Sequence, residues 1–255
     1  MTVITPEVTT EVTKQQKISN LFPRTKPDNK FIDTSNGFTR PTFGMVKNWV
    51  VTEKIDGMNM RIHANQNDAF LIGGKTERAQ IPGDLVENIK TIFNDPDGIE
   101  ETEDDGRNAY ILHQLSEIGY DGYNVTLFGE GYGPGIQGGA YYREDKGFIL
   151  YDARFSKDDG RSFYAPFSDV QEIGKVLDIP VVRSFELQDA TMIYNWMRET
   201  ITGYDSEFEE GDGYECEGIV AYPLVPLYDS FGERIVFKLK VEEVRKTMLK
   251  EAEDE

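Results

Sequence analysis

The sequence predicts an α+β protein built on antiparallel sheets, and three observations carry that expectation. Segments that alternate apolar and polar residues, the mark of half-buried strands, are interleaved with segments whose apolar residues recur at helical spacing. Early in the chain, Met45 to Ile55 and Met58 to Ala64 are alternating segments joined at Asp56-Gly57, a favoured hairpin dipeptide. The order of strands and helices is mixed, which favours antiparallel sheets over the regular alternation of a doubly wound parallel sheet.

Taken in order, the Pro-containing stretch LFPRTKPDNK reads as an extended lead-in to the two joined strands, and a third strand covers Ala69 to Gly74. Leu85, Val86, Ile89, Ile92 and Phe93 share a helical face, as do Ala109, Leu112, Leu115 and Ile118. Strands follow at Val125 to Glu130 and Phe148 to Phe155. Helices near Asp169 to Leu177 and Ala190 to Glu199 flank a short strand at Pro180 to Phe185. Strands at Gly218 to Tyr222 and Arg234 to Lys240 precede a charged helix that starts at Val241.

A chain of 255 residues, 38% hydrophobic, can bury one sizeable core. The expected organisation is a flexible leader over residues 1–17, rich in Thr, Glu and Gln, and a single domain over 18–255. No apolar run is long enough to span a membrane. The single cysteine, Cys216, excludes an internal disulfide, and two histidines leave no Cys/His zinc constellation, so a reducing cytoplasm is the expected compartment. The net charge of −19 argues against a protein that coats nucleic acid by electrostatics alone. Much of the acid sits in Asp97 to Asp105, Asp205 to Glu217 and the terminal EAEDE, runs that read as solvated loops and tails. A local cationic site can exist inside that envelope, with the lysines of GGKT and KLK as candidates.

The segment TEKIDGMNMRI places Lys54 near a strand end, on the face of Val50 and Thr52. Alone, this is a surface lysine beside a turn. As a nucleophile it would need help, because with a free pKa of ~10.4 only roughly one lysine in two thousand is unprotonated at neutral pH. Cationic neighbours or burial supply that help. Lys238 and Lys240 of VFKLK lie two apart on a strand, hence on one face, where they could disfavour a charged Lys54 and grip a triphosphate; as an isolated pair they read equally as the solvated edge of an outer strand. Glu130 in LFGEGYGPGIQ and Glu217 in CEGIVAYP are acids inside β-like, Gly-flanked segments, suited either to ribose hydroxyls and a hard divalent cation or to the surface. Asp152 in FILYDARF is a third such acid, beside Tyr151, whose ring offers a face for a base or belongs to the core. Gly74-Lys75-Thr76 mimics the end of a P-loop, but Ala69 stands where that pattern needs glycine, and Pro82 and Gly83 interrupt any helix after it.

In order, EKIDG, GGKTERAQIP, LFGEGYGPGIQ, FILYDARF, CEGIVAYP and VFKLK resemble the collinear motifs of the covalent nucleotidyltransferases, the superfamily of ligases and capping enzymes. Within it the wording is most similar to the RNA ligase 2 family of T-even phages, which includes the trypanosome RNA-editing ligases. The resemblance runs from about residue 49 to 240 and implies an adenylyltransferase domain of ATP-grasp-like antiparallel sheets flanked by helices. By it, Lys54 is the AMP-accepting nucleophile, Glu53 and Ile55 flank adenine, and Asn59 lies near the nucleotide sugar and phosphate. Glu130 would hold the ribose and Tyr151 would stack on adenine. Glu217 would serve the metal and the reaction centre, and Lys238 and Lys240 the phosphate; Asp152, read from the residues alone, is a second candidate metal ligand. Two departures are visible: the family usually has Phe at Tyr151 and Arg at Lys75, where a bidentate fork gives way to a point charge.

The implied reaction is three displacements at phosphorus. Lys54 attacks ATP and expels pyrophosphate, AMP passes to an RNA 5′-phosphate, and a 3′-hydroxyl displaces AMP. ATP and Mg²⁺ or Mn²⁺ are the expected cofactors, and RNA ends the expected partners. Roughly 15 residues follow Lys240, too few for an oligonucleotide-binding barrel, so the expected grip on RNA comes from the core or a partner protein. A capping guanylyltransferase, a DNA ligase and a silent nucleotide- or RNA-binding protein of the same fold share these residues.

Overall fold

Patterned apolar residues fold into two five-stranded sheets, each covered by helices on one face. The structure, a computed structural model, describes residues 15–25, 31–66, 70–76, 78–93, 106–137, 143–200, 205–206 and 215–254. The acidic run at 97–105 and most of the one at 205–217 lie outside the described residues. In chain order the strands are β1 (Ser19–Asn20), β2 (Trp49–Lys54), β3 (Met58–Ala64), β4 (Phe70–Gly74), β5 (Asn124–Tyr132), β6 (Gly147–Ser156), β7 (Ser162–Tyr164), β8 (Ser184–Leu187), β9 (Gly218–Pro223) and β10 (Phe237–Lys240). The α-helices are α1 (Gly83–Ile92), α2 (Arg107–Glu117), α3 (Phe167–Val176), α4 (Ala190–Thr200) and α5 (Val241–Asp254).

The first sheet has the order β1-β10-β9-β2-β8, the second β4-β3-β5-β6-β7. Every pairing is antiparallel except that of β1 with β10. The expected α+β architecture is therefore the observed one. Helices α1, α2 and α3 pack on the second sheet, whereas α4 and α5 pack on the first. Strand β2 shows why the first sheet is stable: Trp49 and Val51 join the core under α4 and α5, with Trp49 fully buried against the Phe237 ring at 4.8 Å. Burial of such a side chain contributes roughly 1.5–3 kcal/mol.

Several expectations are corrected. Asp56-Gly57 is not a hairpin turn. Strand β2 pairs with β8 and β9, whereas β3 pairs with β4 and β5, so residues 55–57 carry the chain from one sheet to the other. A turn dipeptide reports local backbone freedom and not which strands will pair. Gly57 is needed for a different reason: a Cβ there would stand 2.4 Å from the Gly131 carbonyl oxygen and 2.7 Å from Glu130 Cγ. Strand β2 begins at Trp49, not Met45, because Pro41–Gly44 form a 3₁₀ turn and Asn48 takes φ of 120°. The strand expected at Pro180 to Phe185 starts at Ser184, with Val181 in an isolated bridge to Leu150. The last strand begins at Phe237 and not at Arg234. Strands β1 and β7 were not foreseen; both are too short to show an alternation. At the end of the expected 1–17 leader, Gln15 and Gln16 hydrogen-bond to Asn59, Tyr151 and the Arg234 backbone.

Candidate active site

Lys54 ends β2, at the point where the chain leaves the first sheet for the second. A cavity of about 480 Å³ opens there between the sheets. From the first sheet it is lined by Thr52, Glu53 and Lys54 of β2, Val220 and Tyr222 of β9, and Lys238 of β10; from the second, by Asn59 of β3, Glu130 of β5 and Tyr151 of β6. Ile55 of the crossing segment, Lys75 and Thr76 just past β4, Val182 and the segment before β1 complete the wall.

The Lys54 ammonium is ion-paired with the Glu217 carboxylate, whose other oxygen accepts from Lys240 at 2.6 Å. Register explains the meeting: Lys54 and Lys240 both lie opposite Gly218, on either side of β9, and Glu217 immediately precedes it. Lys238 lies two residues before Lys240 on the same face, as the sequence requires. Burial lowers its pKa, and the charges of Lys54 and Lys240 lower it further. For Lys240 burial acts downward too, but the Glu217 hydrogen bond and charge outweigh it and the pKa is raised. Burial and the charge of Glu217 raise the carboxyl of Asp56.

Glu130 faces this cluster. Burial pushes its pKa to about 8, against the downward pull of Lys54 and with the upward push of Glu217 and Asp56. At neutral pH its carboxyl is mostly protonated and can donate as well as accept a hydrogen bond. Tyr151 reaches the cavity through a β-bulge. Gly129 pairs with Leu150 and Phe128 with Asp152, so Tyr151 is the extra residue. Its hydroxyl accepts from Asn59 Nδ2. Glu53 is buried, accepts from Ser206 Oγ, and has a pKa raised by burial.

A model of the RNA ligase family matches residues 47–240, about three-quarters of the chain. The chain belongs to the RNA ligase family. Among solved structures, the fold of this RNA ligase family member is similar to an apo variant of a Naegleria gruberi RNA ligase, with a TM-score of 0.55, 17% identity and coverage of 92% of this chain and 58% of that one. It is also similar to an archaeal ATP-dependent RNA ligase, with a TM-score of 0.52, 15% identity and coverage of 90% and 48%. A third, a Naegleria gruberi RNA ligase variant with ATP and Mn, gives a TM-score of 0.53, 17% identity and coverage of 92% and 58%. The chain thus spans about half to three-fifths of the length of these relatives. No curated protein matches it.

Of the residues singled out from the sequence of this RNA ligase family member, Lys54, Glu53, Ile55, Asn59, Lys75, Glu130, Tyr151 and Lys238 line the cavity, and Glu217 and Lys240 join it through Lys54. Asp152 does not. Its carboxylate is buried and paired with Arg234, outside the cavity lining. Sequence reasoning missed Gln15, Asp56 and Arg234. Asp56 stood inside EKIDG but was read as a turn residue; nothing local distinguishes Gln15 or Arg234.

Glu130 gives a pH prediction. The unfolded carboxyl loses its proton near the ordinary value of 4.5, the folded one near about 8, so the folded state holds the extra proton between them and is progressively penalised as pH rises through that window. Glu130→Gln, which mimics the protonated form, is expected to raise the thermal midpoint relative to the parent at about pH 9 and leave it nearly unchanged at about pH 4. An equal shift at both pH values would assign the effect to packing instead.

Proposed function

We propose that this chain is an ATP-dependent RNA ligase that carries AMP on Lys54, transfers it to an RNA 5′-phosphate and seals that end to a 3′-hydroxyl. The observation that carries the reading is Lys54 at the mouth of a nucleotide-sized cavity, held by Glu217 among Lys238 and Lys240. Family membership supports the reaction class, and the ligases of similar fold whose structures contain ATP and Mn support the nucleotide and the metal.

Lys54 Nζ bonds to the α-phosphorus as the bond to the pyrophosphate oxygen breaks. The proton that Lys54 must first shed has an acceptor in contact, the Glu217 carboxylate. Lys238 and Lys240 stabilise charge that develops on the nonbridging oxygens. Tyr151 offers its ring to the base, and Glu130, able to donate and accept, suits the ribose hydroxyls. Among the described residues no three His, Cys, Asp or Glu side chains converge as a metal cage. The carboxylates of Glu217 and Asp56 lie near enough for the charge of Glu217 to act on Asp56, a pair of hard oxygen donors that fits a cation keeping phosphate and water among its ligands. Glu217 and Asp56 would hold Mg²⁺ or Mn²⁺, which would neutralise phosphate charge. No described helix is long and apolar enough to cross a membrane, and RNA ends are the proposed partners, reached in the cytoplasm and with the help of an RNA-binding protein.

Incubation with ATP labelled at the α-phosphate, followed by denaturing electrophoresis, is expected to leave label on the protein. GTP label in its place would point to a capping-type enzyme, and label from neither would sink the covalent reading.

A further inference from the structure

The segment just before β1 forms a wall of the cavity. Gln15, Gln16, Lys17 and Ile18 all line it. Gln16 ties the segment down, because its Oε1 accepts from the Arg234 backbone N–H at 2.9 Å. Further on, Ser19 and Asn20 pair with Phe237 and Lys238, and the Leu21 N–H donates to the Lys238 carbonyl at 3.0 Å. The segment is thus bonded to the strand that carries Lys238. Gln15 turns the other way, across the cavity to the second sheet: its Oε1 accepts from Asn59 Nδ2 at 2.9 Å and from the Tyr151 hydroxyl at 3.0 Å.

We propose that Gln15 is a nucleotide-binding residue, whose carboxamide closes the cavity over Tyr151 and Asn59 and hydrogen-bonds the nucleoside of the bound ATP. The proposal rests on the nucleotidyl-transfer reading and adds a residue to it. Size decides between a wall and a plug. With Gln15 in place the cavity still measures about 480 Å³, within the roughly 300–1,000 Å³ range of small-ligand sites. Its Oε1 is engaged by two donors, while its amide N–H₂ remains a donor for the acceptor-rich edge of a base or sugar.

The test is titration calorimetry with an ATP analogue whose α–β bridge is methylene, so that pyrophosphate cannot leave, on the parent, Gln15→Ala and Gln15→Met. Met keeps the length of the side chain and removes the amide. Both variants are expected to bind about three- to tenfold more weakly than the parent, the loss of one hydrogen bond. Their thermal midpoints without nucleotide should fall by only about a few degrees and alike in both variants, because Gln15's bonds are lost in each while Gln16 keeps the bond that ties the segment to Arg234. Parent-like binding by Gln15→Met would overturn the amide contact and leave only a steric wall. Tighter binding by either variant would overturn the proposal in favour of a plug. A parent that neither binds the analogue nor takes label from ATP would instead bring down the nucleotidyl-transfer reading itself.

Discussion

Lys54→Ala is expected to form no protein-AMP adduct and to join no 5′-phosphorylated RNA with ATP, yet to seal RNA that already carries 5′-linked AMP. In the proposed reaction only the first two displacements pass through Lys54; in the third the nucleophile is an RNA hydroxyl. Glu130, Lys238, Lys240 and Glu217, the proposed holders of AMP, phosphate and metal, remain in the variant. Removal of Lys54 also frees one Glu217 oxygen, while the other stays bonded to Lys240. The sealing rate should fall, because one cation near the leaving phosphate is lost, a contact of at most about 4 kcal/mol. A folded Lys54→Ala protein that joins phosphorylated ends with ATP as well as the parent would show that another group is the nucleophile.

Arg234→Met is expected to destabilise the fold by about 3–5 kcal/mol, since it leaves the Asp152 carboxylate buried without its counter-ion. The two side chains are only 8% and 2% exposed, and the guanidinium also lies 4.0 Å from the Tyr164 ring centroid. Burial already pushes the Asp152 carboxyl upward, with Arg234 as the opposing influence. Without Arg234 that carboxyl rises further, so the deficit should shrink as pH falls and Asp152 becomes protonated in both states. The thermal midpoint at neutral pH should drop by on the order of ten degrees. The double variant Asp152→Asn, Arg234→Met should recover much of the loss. Thermal unfolding of the three proteins at neutral and acidic pH checks this; no recovery in the double variant would mean that Arg234 acts through its ring contacts and not through Asp152.

The helices and most strands were legible because their signals are local. The apolar face of Leu85, Ile89 and Phe93 and the alternation of Trp49 and Val51 follow from backbone periods of 3.6 and 2. The lysine pair of VFKLK was legible for the same reason, since residues two apart on a strand share a face. Pairing was not legible. Residues 55–57 offered a good turn, and only the pairing of both edges of β2, with β9 and with β8, decided that the chain should cross to a second sheet there.

What the sequence by itself determined is the set of chemical groups and their order: a strand-end lysine, two glycine-flanked glutamates, an aromatic and a lysine pair, in an order that resembles a family of nucleotidyltransferases. The tertiary structure decided which of these groups meet. Opposition of Lys54 and Lys240 across β9 brought both to Glu217, a one-residue bulge brought Tyr151 to the cavity, and Asp152 met Arg234, which is 82 residues away along the chain. Closure by Gln15 joined the first sheet to the second. Each of these depends on contacts between residues distant along the chain, fixed by register and by the burial of charge, and neither leaves a mark on local periodicity.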